Sequence, residues 1–221
     1  MIRIAVLDDH PAVLGGLQRL AERTPDLVPV AFVETEEALR HELDQRVADV
    51  VVVDYDLARG NGLVVCQQLK ERSPAPRVVI YSAYAGPGLG VAARAAGADG
   101  LVHKSEPVTD LLAAVQRVAD GERVLPDLQP DVRRAAMSRL DEEDVAVAAM
   151  LLAHTPHDAI AETLDVRRDE VAWRTRRILA RMRPNGASSD GDRAISCDPL
   201  GMRFRSCSCT RSGLPLRSGP A

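Results

Sequence analysis

Five short apolar runs, mostly β-branched, punctuate the first 120 positions, at 2–7, 28–33, 49–53, 77–81 and 100–102. Ile4-Ala5-Val6-Leu7 and Val50-Val51-Val52-Val53 contain no polar alternation. That is the pattern of strands covered by helices on both faces. Between them, about 11–23, 35–46, 62–72, 87–96 and 107–119, apolar residues recur at helical spacing. Strand and helix alternating through short loops predict right-handed crossovers and a five-stranded parallel sheet. The flavodoxin-like strand order 2-1-3-4-5 is expected for this class.

After residue 120 the pattern changes. Pro126 and Pro130 interrupt a mixed-charge stretch at 121–139, read as an interdomain linker with a short helix near 131–138. From 140 to 183 the periodicity is purely helical. A first helix at 141–153 has an acidic start that suits its dipole. Thr155-Pro156-His157-Asp158 reads as a second start, with threonine as cap and proline in the first position. Ile160, Ala161 and Leu164 form its inner face. A third helix spans 168–182 with Val171, Ile178 and Met182 inward. Pro184 ends the pattern, and the Ser-, Gly-, Arg- and Pro-rich 184–221 segment is expected to be disordered. The fold class is therefore α/β, a flavodoxin-like domain at 1–120, followed by a small all-α domain at 140–183.

Composition narrows this picture. The 221 residues suit two small domains; hydrophobic residues make up 46% and aromatics only 3%, so the cores are aliphatic. A net charge of −4 rules out a general polycation, so any nucleic-acid surface has to be local. No stretch approaches the ~20 apolar residues that cross a bilayer. The chain enters a strand at once, without the basic and apolar segments of a signal peptide, so a cytoplasmic protein is expected. Cys66 falls in a helix and Cys197, Cys207 and Cys209 in the tail, with no zinc-ligand spacing among them.

The chemistry lies at the ends of the apolar runs. Asp8-Asp9, Asp54 and Lys104 each follow one, and in parallel sheets the working site lies beyond the carboxyl ends of the strands. Three carboxylates and one ammonium would thus share an edge. Such crowding calls for a cation, naturally Mg²⁺, which takes few carboxylates plus water and phosphate. Asp54, ending the most apolar run, is the candidate nucleophile for an acyl phosphate. Asp8 and Asp9 have a second use as caps of the next helix, and His10 is expected to pack at that helix start.

Val6-Leu7-Asp8-Asp9-His10-Pro11, Val53-Asp54, Tyr81-Ser82-Ala83 and Gly97-Ala98-Asp99-Gly100-Leu101-Val102-His103-Lys104 occur in that order. On these motifs the chain resembles a two-component response regulator of the NarL/FixJ type over about 1–183. The resemblance implies a receiver domain phosphorylated on Asp54 by a sensor histidine kinase. It also implies Mg²⁺ held by Asp9, by Asp8 through water, by Asp54 and by the backbone carbonyl of Asp56. Ser82 and Lys104 would contact the phosphoryl group. Leu101 stands where the family commonly has a tyrosine or phenylalanine that swings inward, so the aromatic half of the switch is missing.

Leu140, Asp144, Val147, Leu151, Ile160-Ala161, Leu164, Val166, Val171, Ile178-Leu179 and Met182 resemble the LuxR-type helix-turn-helix. The third helix would then enter the major groove. Seven arginines against Asp169 and Glu170 make 167–183 a basic stripe. Arg168, Arg174 and Arg177 are expected to reach DNA, with Arg176 and Arg181 nearer flanking phosphates, and Trp173 is expected to pack. The implied protein is a transcription regulator rather than an enzyme, a homodimer on paired promoter half-sites when phosphorylated. Two alternatives remain. Asp169, Glu170 and Ala172 depart from the family and suit a module turned to protein contacts. Val53-Asp54-Tyr55-Asp56 mimics the Asp-x-Asp of haloacid-dehalogenase-like phosphatases, though on the third strand instead of the first.

Overall fold

The computed structural model describes residues 1–183; the 184–221 segment, with its expected disorder, lies outside the described residues. Five parallel strands, β1 (Ile2–Leu7), β2 (Leu27–Val33), β3 (Val50–Asp54), β4 (Arg77–Ser82) and β5 (Gly100–His103), lie in the order β2-β1-β3-β4-β5. Every residue of β3 is buried, as its Val-Val-Val-Val-Asp sequence requires. At one edge β2 carries Pro29, paired with Ile4 just before a register shift. At the other, the chain beyond the sheet returns to β5: Leu101 N–H donates to Val124 O and Val124 N–H to Asp99 O, both at 2.8 Å. The 121–139 segment is thus fastened to the sheet at Val124.

Helices α1 (Pro11–Arg23), α2 (Glu36–Gln45), α3 (Gly62–Lys70), α4 (Pro87–Ala95) and α5 (Val108–Ala119) connect and follow the strands. Their starts are written locally. Proline opens α1 and α4, Thr35 Oγ1 accepts from Ala38 N–H at 3.2 Å, and Asn61 Oδ1 accepts from Leu63 N–H at 2.8 Å. One face of the sheet closes over α1 and α5, with Leu14, Leu17, Leu111 and Val115 buried against Val6, Val52 and Val79. The opposite core, under α2, α3 and α4, does not end at the domain edge. It runs on through Leu89, Val91 and Ala92 into Val147, Leu151, Ile160, Val171 and Ile178.

The reason is α4. Pro-Gly-Leu-Gly-Val-Ala-Ala-Arg-Ala offers Arg94 as its one polar side chain, and a helix so nearly apolar all round needs cover on both sides. Helices α6 (Pro130–Met137), α7 (Glu142–Leu152), α8 (His157–Leu164) and α9 (Arg168–Met182) supply it, with α6, α7 and α9 all packing on α4. Gly90 marks the closest approach: a Cβ there would lie 2.5 Å from Pro126 Cγ, so only glycine admits the returning chain.

The turn after α7 departs from expectation. His154 takes a left-handed conformation (φ 58°), with His154 N–H donating to Leu151 O and Thr155 N–H to Met150 O. This is a helix stop usually built on glycine. Thr155 therefore completes the stop of α7, makes no side-chain cap, and α8 begins at His157 with Pro156 before it.

Candidate functional site

The carboxyl edges of β1, β3 and β5 deliver Asp8, Asp54 and Lys104 to one place. Asp8 and Asp54 are buried at 1% and 3% exposure. Lys104 Nζ bridges them, 2.7 Å from Asp8 Oδ2 and 2.8 Å from Asp54 Oδ2. Burial pushes the Asp54 carboxyl above its ordinary range, against the pull of Lys104. Burial would lower Lys104, but hydrogen bonds to Asp54 and Asp8 outweigh it and hold the ammonium above its ordinary value. One cation therefore serves two buried carboxylates, and the site remains acidic.

Gly62 fixes the loop behind Asp54. A Cβ at 62 would lie 2.1 Å from the Asp54 carbonyl oxygen, so the chain folds back this tightly only through glycine. Asp56 N–H points to Asp54 Oδ1 at 3.4 Å. Ser82 is fully buried at the end of β4 and its Oγ accepts from Tyr84 N–H at 3.0 Å, while Ser82 O accepts from Lys104 N–H at 2.8 Å. Leu101, 9% exposed and opposite Ile80, floors an open groove of about 540 Å³ with Ala113, Ala114, Leu125 and Pro126.

Asp9 lies across the mouth of the site. Its Oδ2 accepts from Ala58 N–H at 2.7 Å, and its Oδ1 is buried with no hydrogen bond. An orphaned carboxylate oxygen beside two more carboxylates fits a bound cation. Oxygen and nitrogen atoms of Asp8, Asp9, His10 and Asp54 come within 4.8 Å of one another. His10 does not pack at the helix start as expected. Its side chain is 65% exposed, and Nδ1 leans back to within 3.1 Å of Asp8 Oδ1 and 2.9 Å of Asp9 Oδ1. Nor do the aspartates cap α1; Asp8 Oδ1 accepts from His10 N–H at 2.9 Å, ahead of the first-turn amides that a cap would meet.

Residues 4–116, just over half of the chain, match the response regulator receiver domain family. The chain belongs to that family. Its relatives are response regulators of the NarL type. The nitrate/nitrite response regulator protein NarL of Escherichia coli K12 is 27% identical over 194 residues, covering 81% of this chain and 88% of NarL. A LuxR-family response regulator from Aurantimonas sp. SI85-9A1 is 29% identical with a TM-score of 0.53, over 64% of this chain and 99% of that one. The response regulator RcsB in complex with DNA shares the fold at a TM-score of 0.54 and 20% identity, over 82% of this chain and 91% of that one.

In the C-terminal module of this response regulator, α9 meets α7, α8 and the receiver together. Val171, Thr175, Ile178 and Met182 form its buried stripe. At about 100° per residue, Arg174 and Arg181 fall on one flank of that stripe, Arg176 on the other beyond the buried Leu179, and Trp173 opposite it. Arg174 pairs with Glu170 and donates to Glu143 O at 3.2 Å. Arg181 pairs with Asp141 at 2.5 Å and Arg168 with Asp158 at 3.0 Å. Arg177 grips the fully buried Asp144 with two bonds, at 2.6 and 2.8 Å, and reaches Glu143 as well. Arg174 and Arg177 thus turn toward α7 and not outward as the sequence led us to expect. Of the five arginines singled out from the sequence, Arg176 is the one without an ion pair in the described residues. Trp173 does not pack either: it is 47% exposed, with the Arg177 guanidinium 4.5 Å from its ring centre.

The receiver-facing flank of α9 holds groups that the sequence did not single out. Gln67 on α3 is buried, and its Nε2 donates to Ala172 O at 3.0 Å. Glu71 lies 3.7 Å from His157 Nδ1, and Arg94 on α4 contacts His154 Nε2 at 3.0 Å. Burial, with Arg123 and Arg94 close by, lowers the His154 pKa to about 4. His157 is lowered too, again by burial, against the pull of Glu71. Among the described residues no helix is long and apolar enough to cross a membrane.

Proposed function

We propose that Asp54 accepts a phosphoryl group from a sensor histidine kinase and that its state governs access of α9 to promoter DNA. The observation that carries this is the placement of Asp54: buried at the carboxyl end of β3, and linked through Lys104 to Asp8. A carboxylate oxygen attacks phosphorus in line, the donor's leaving group departs, and an acyl phosphate results. Lys104 is placed to exchange its bonds to Asp8 and Asp54 for a phosphoryl oxygen, and the Ser82 hydroxyl to meet another. Mg²⁺ would be held by Asp9, Asp8, Asp54 and the Asp56 carbonyl, where it supplies charge neutralisation. Such a protein works in the cytoplasm, as a regulator and not as a turnover enzyme.

The second half of the proposal rests on α9. A helix in the major groove sits between phosphate walls about 12 Å apart, and the receiver packed along α9 through Gln67, α3 and α4 occupies that space. DNA binding therefore requires the seam to open. Lys104 and Ser82 are joined to β5 and β4, β5 to Val124, and Val124 to the Pro126–Gly90 contact on α4. A change at Asp54 has a packed route to the seam. Residues 1–120 act as the receiver, 121–139 as a strap and 140–183 as the DNA-binding module, which then pairs as a homodimer on two half-sites.

The test is fluorescence anisotropy of the full chain on its own upstream DNA, before and after acetyl phosphate and Mg²⁺. Tighter, salt-dependent binding after treatment supports the proposal, and its absence in both states defeats the output half. One observation favours a second reading, a module serving protein contacts. Glu170 already occupies Arg174, and Asp169 occupies Arg167, so part of the basic stripe is neutralised.

A further inference from the structure

His10 has a position that phosphoryl transfer leaves unused. We propose that His10 supplies a nitrogen ligand to the acidic site, so that the regulator holds a first-row transition dication there through Asp8, Asp9, Asp54 and His10 Nδ1. This rests on the reading of that edge as a cation site and extends it to the class of cation.

The distances carry the inference. Nδ1 lies 2.9 Å from Asp9 Oδ1, 3.1 Å from Asp8 Oδ1 and 4.0 Å from Asp54 Oδ2. Ligands ~2.1 Å from an octahedral ion lie about 3.0 Å from their cis neighbours and about 4.2 Å from the trans one. The imidazole nitrogen therefore already stands at coordination spacing from three carboxylate oxygens. Lys104 engages Asp8 through the other oxygen, Oδ2, which leaves Oδ1 on the His10 side. Asp9 Oδ1 is the independent sign. It is buried and makes no hydrogen bond, although Nδ1 is close, because that nitrogen is aligned on Asp8. In this arrangement Nδ1 donates to Asp8 Oδ1, so ligation would move that proton to Nε2 or to solvent and turn the Nδ1 lone pair toward an ion shared with Asp9 Oδ1. Packing does not explain the ring, which is largely exposed.

The donor set decides the class. Mg²⁺ takes oxygen and keeps its water, whereas the first-row dications accept imidazole more readily, least at Mn²⁺ and increasingly along the row. Three carboxylates and one imidazole thus shift the site from Mg²⁺ toward such ions without excluding Mg²⁺.

Mn²⁺ is the probe, on the full-length protein, because as a hard ion it is little drawn to the thiols of Cys197, Cys207 and Cys209. Pulsed electron paramagnetic resonance should detect a ¹⁴N nucleus directly coupled to bound Mn²⁺. His10→Asn keeps a hydrogen-bonding group near Asp8 but no imidazole. It should abolish the coupling and lower the Mn²⁺-over-Mg²⁺ preference by on the order of 10-fold. A wild-type spectrum without ¹⁴N coupling overturns the proposal. So does a coupling that survives His10→Asn, or an equal loss of both metals. Acetyl phosphate labelling of the wild-type protein with Mg²⁺ separates the two readings. Labelling without ¹⁴N coupling defeats this inference alone; coupling without labelling defeats the phospho-acceptor reading alone.

Discussion

The acidic edge of the sheet and the basic helix α9 handle charge in opposite ways. At the edge, Lys104 is shared between Asp8 and Asp54, while Asp9 keeps an unsatisfied oxygen. On α9, Arg168, Arg174, Arg177 and Arg181 each have an acid of their own within the module. The first cluster is short of positive charge and can gain only by admitting a cation or exchanging Lys104 for a phosphoryl contact. In the second, these four arginines are neutralised within the module, so under the proposed reading any of them that turned to a DNA phosphate would first leave a protein carboxylate. One region is open to further positive charge, and the other already uses most of its own inside the module.

Breaking the acceptor gives the largest effect. Asp54→Asn keeps the shape and removes the nucleophilic charge, and intact-mass analysis after acetyl phosphate and Mg²⁺ should show complete loss of the phosphate adduct. Asp9→Ala should reduce the adduct severely through the metal. An unchanged adduct in Asp54→Asn would remove the acidic edge from the comparison altogether.

The paired side is tested next through Arg177→Ala, which strands the buried Asp144. The expected loss is about 2–4 kcal/mol in denaturant unfolding, below the full range for a buried pair because Arg177 keeps some solvent contact. If the loss is under ~0.5 kcal/mol, the pair is a surface ornament and α9 is not held back by it.

The seam should respond to pH. His154 has its pKa lowered to about 4 where it faces Arg94, Arg123 and Lys70, with Asp99 the opposing charge; released, it returns to about 6.5. The released state therefore binds protons more tightly. Docking is at full strength above pH 6.5 and weakens as pH falls toward 4. Between pH 7.5 and 5.5 the docking equilibrium should fall about 10-fold, and His157, shifted the same way, adds to this. Hydrogen exchange of α8 and α9 reads it directly, and His154→Gln should flatten the profile.

Much of this was legible in the chain. Val50 to Val53 permits only a buried strand, and Asp8, Asp54 and Lys104 at strand ends fix where the site lies. Helical spacing at 35–46 and 62–72 places α2 and α3 to within a residue or two. What escaped was whatever depends on contact across the chain. Arg177 binds Asp144 from 33 residues away, and no local pattern distinguishes that from a hydrogen bond to phosphate. Angular position did hold the answer for Trp173, about 200° round the helix from Val171. The 87–96 stretch, apolar but for Arg94, was read only as a helix, and the second cover on α4 escaped. His10 was misread because a histidine beside a helix start packs in most settings, whereas here two neighbouring aspartates draw the ring back.

The smallest expected effect concerns Arg176, which alone of the five arginines singled out on α9 has no ion pair among the described residues. Arg176→Ala should lower the log–log salt slope of DNA binding by about one unit, whereas Arg168→Ala, which also frees Asp158, should change it less. Equal slopes would mean that internal pairing does not restrain the stripe.

Fastening Val124 to β5 has a consequence for how copies of this protein can meet. An open sheet invites another chain to extend it at either end. Here one rim is occupied by the molecule's own backbone at Val124, and the other contains Pro29, which has no amide hydrogen to offer. Self-association by strand addition, the common path to runaway polymerisation, is obstructed at both rims. Pairing is left to helical surfaces, where it can stop at two.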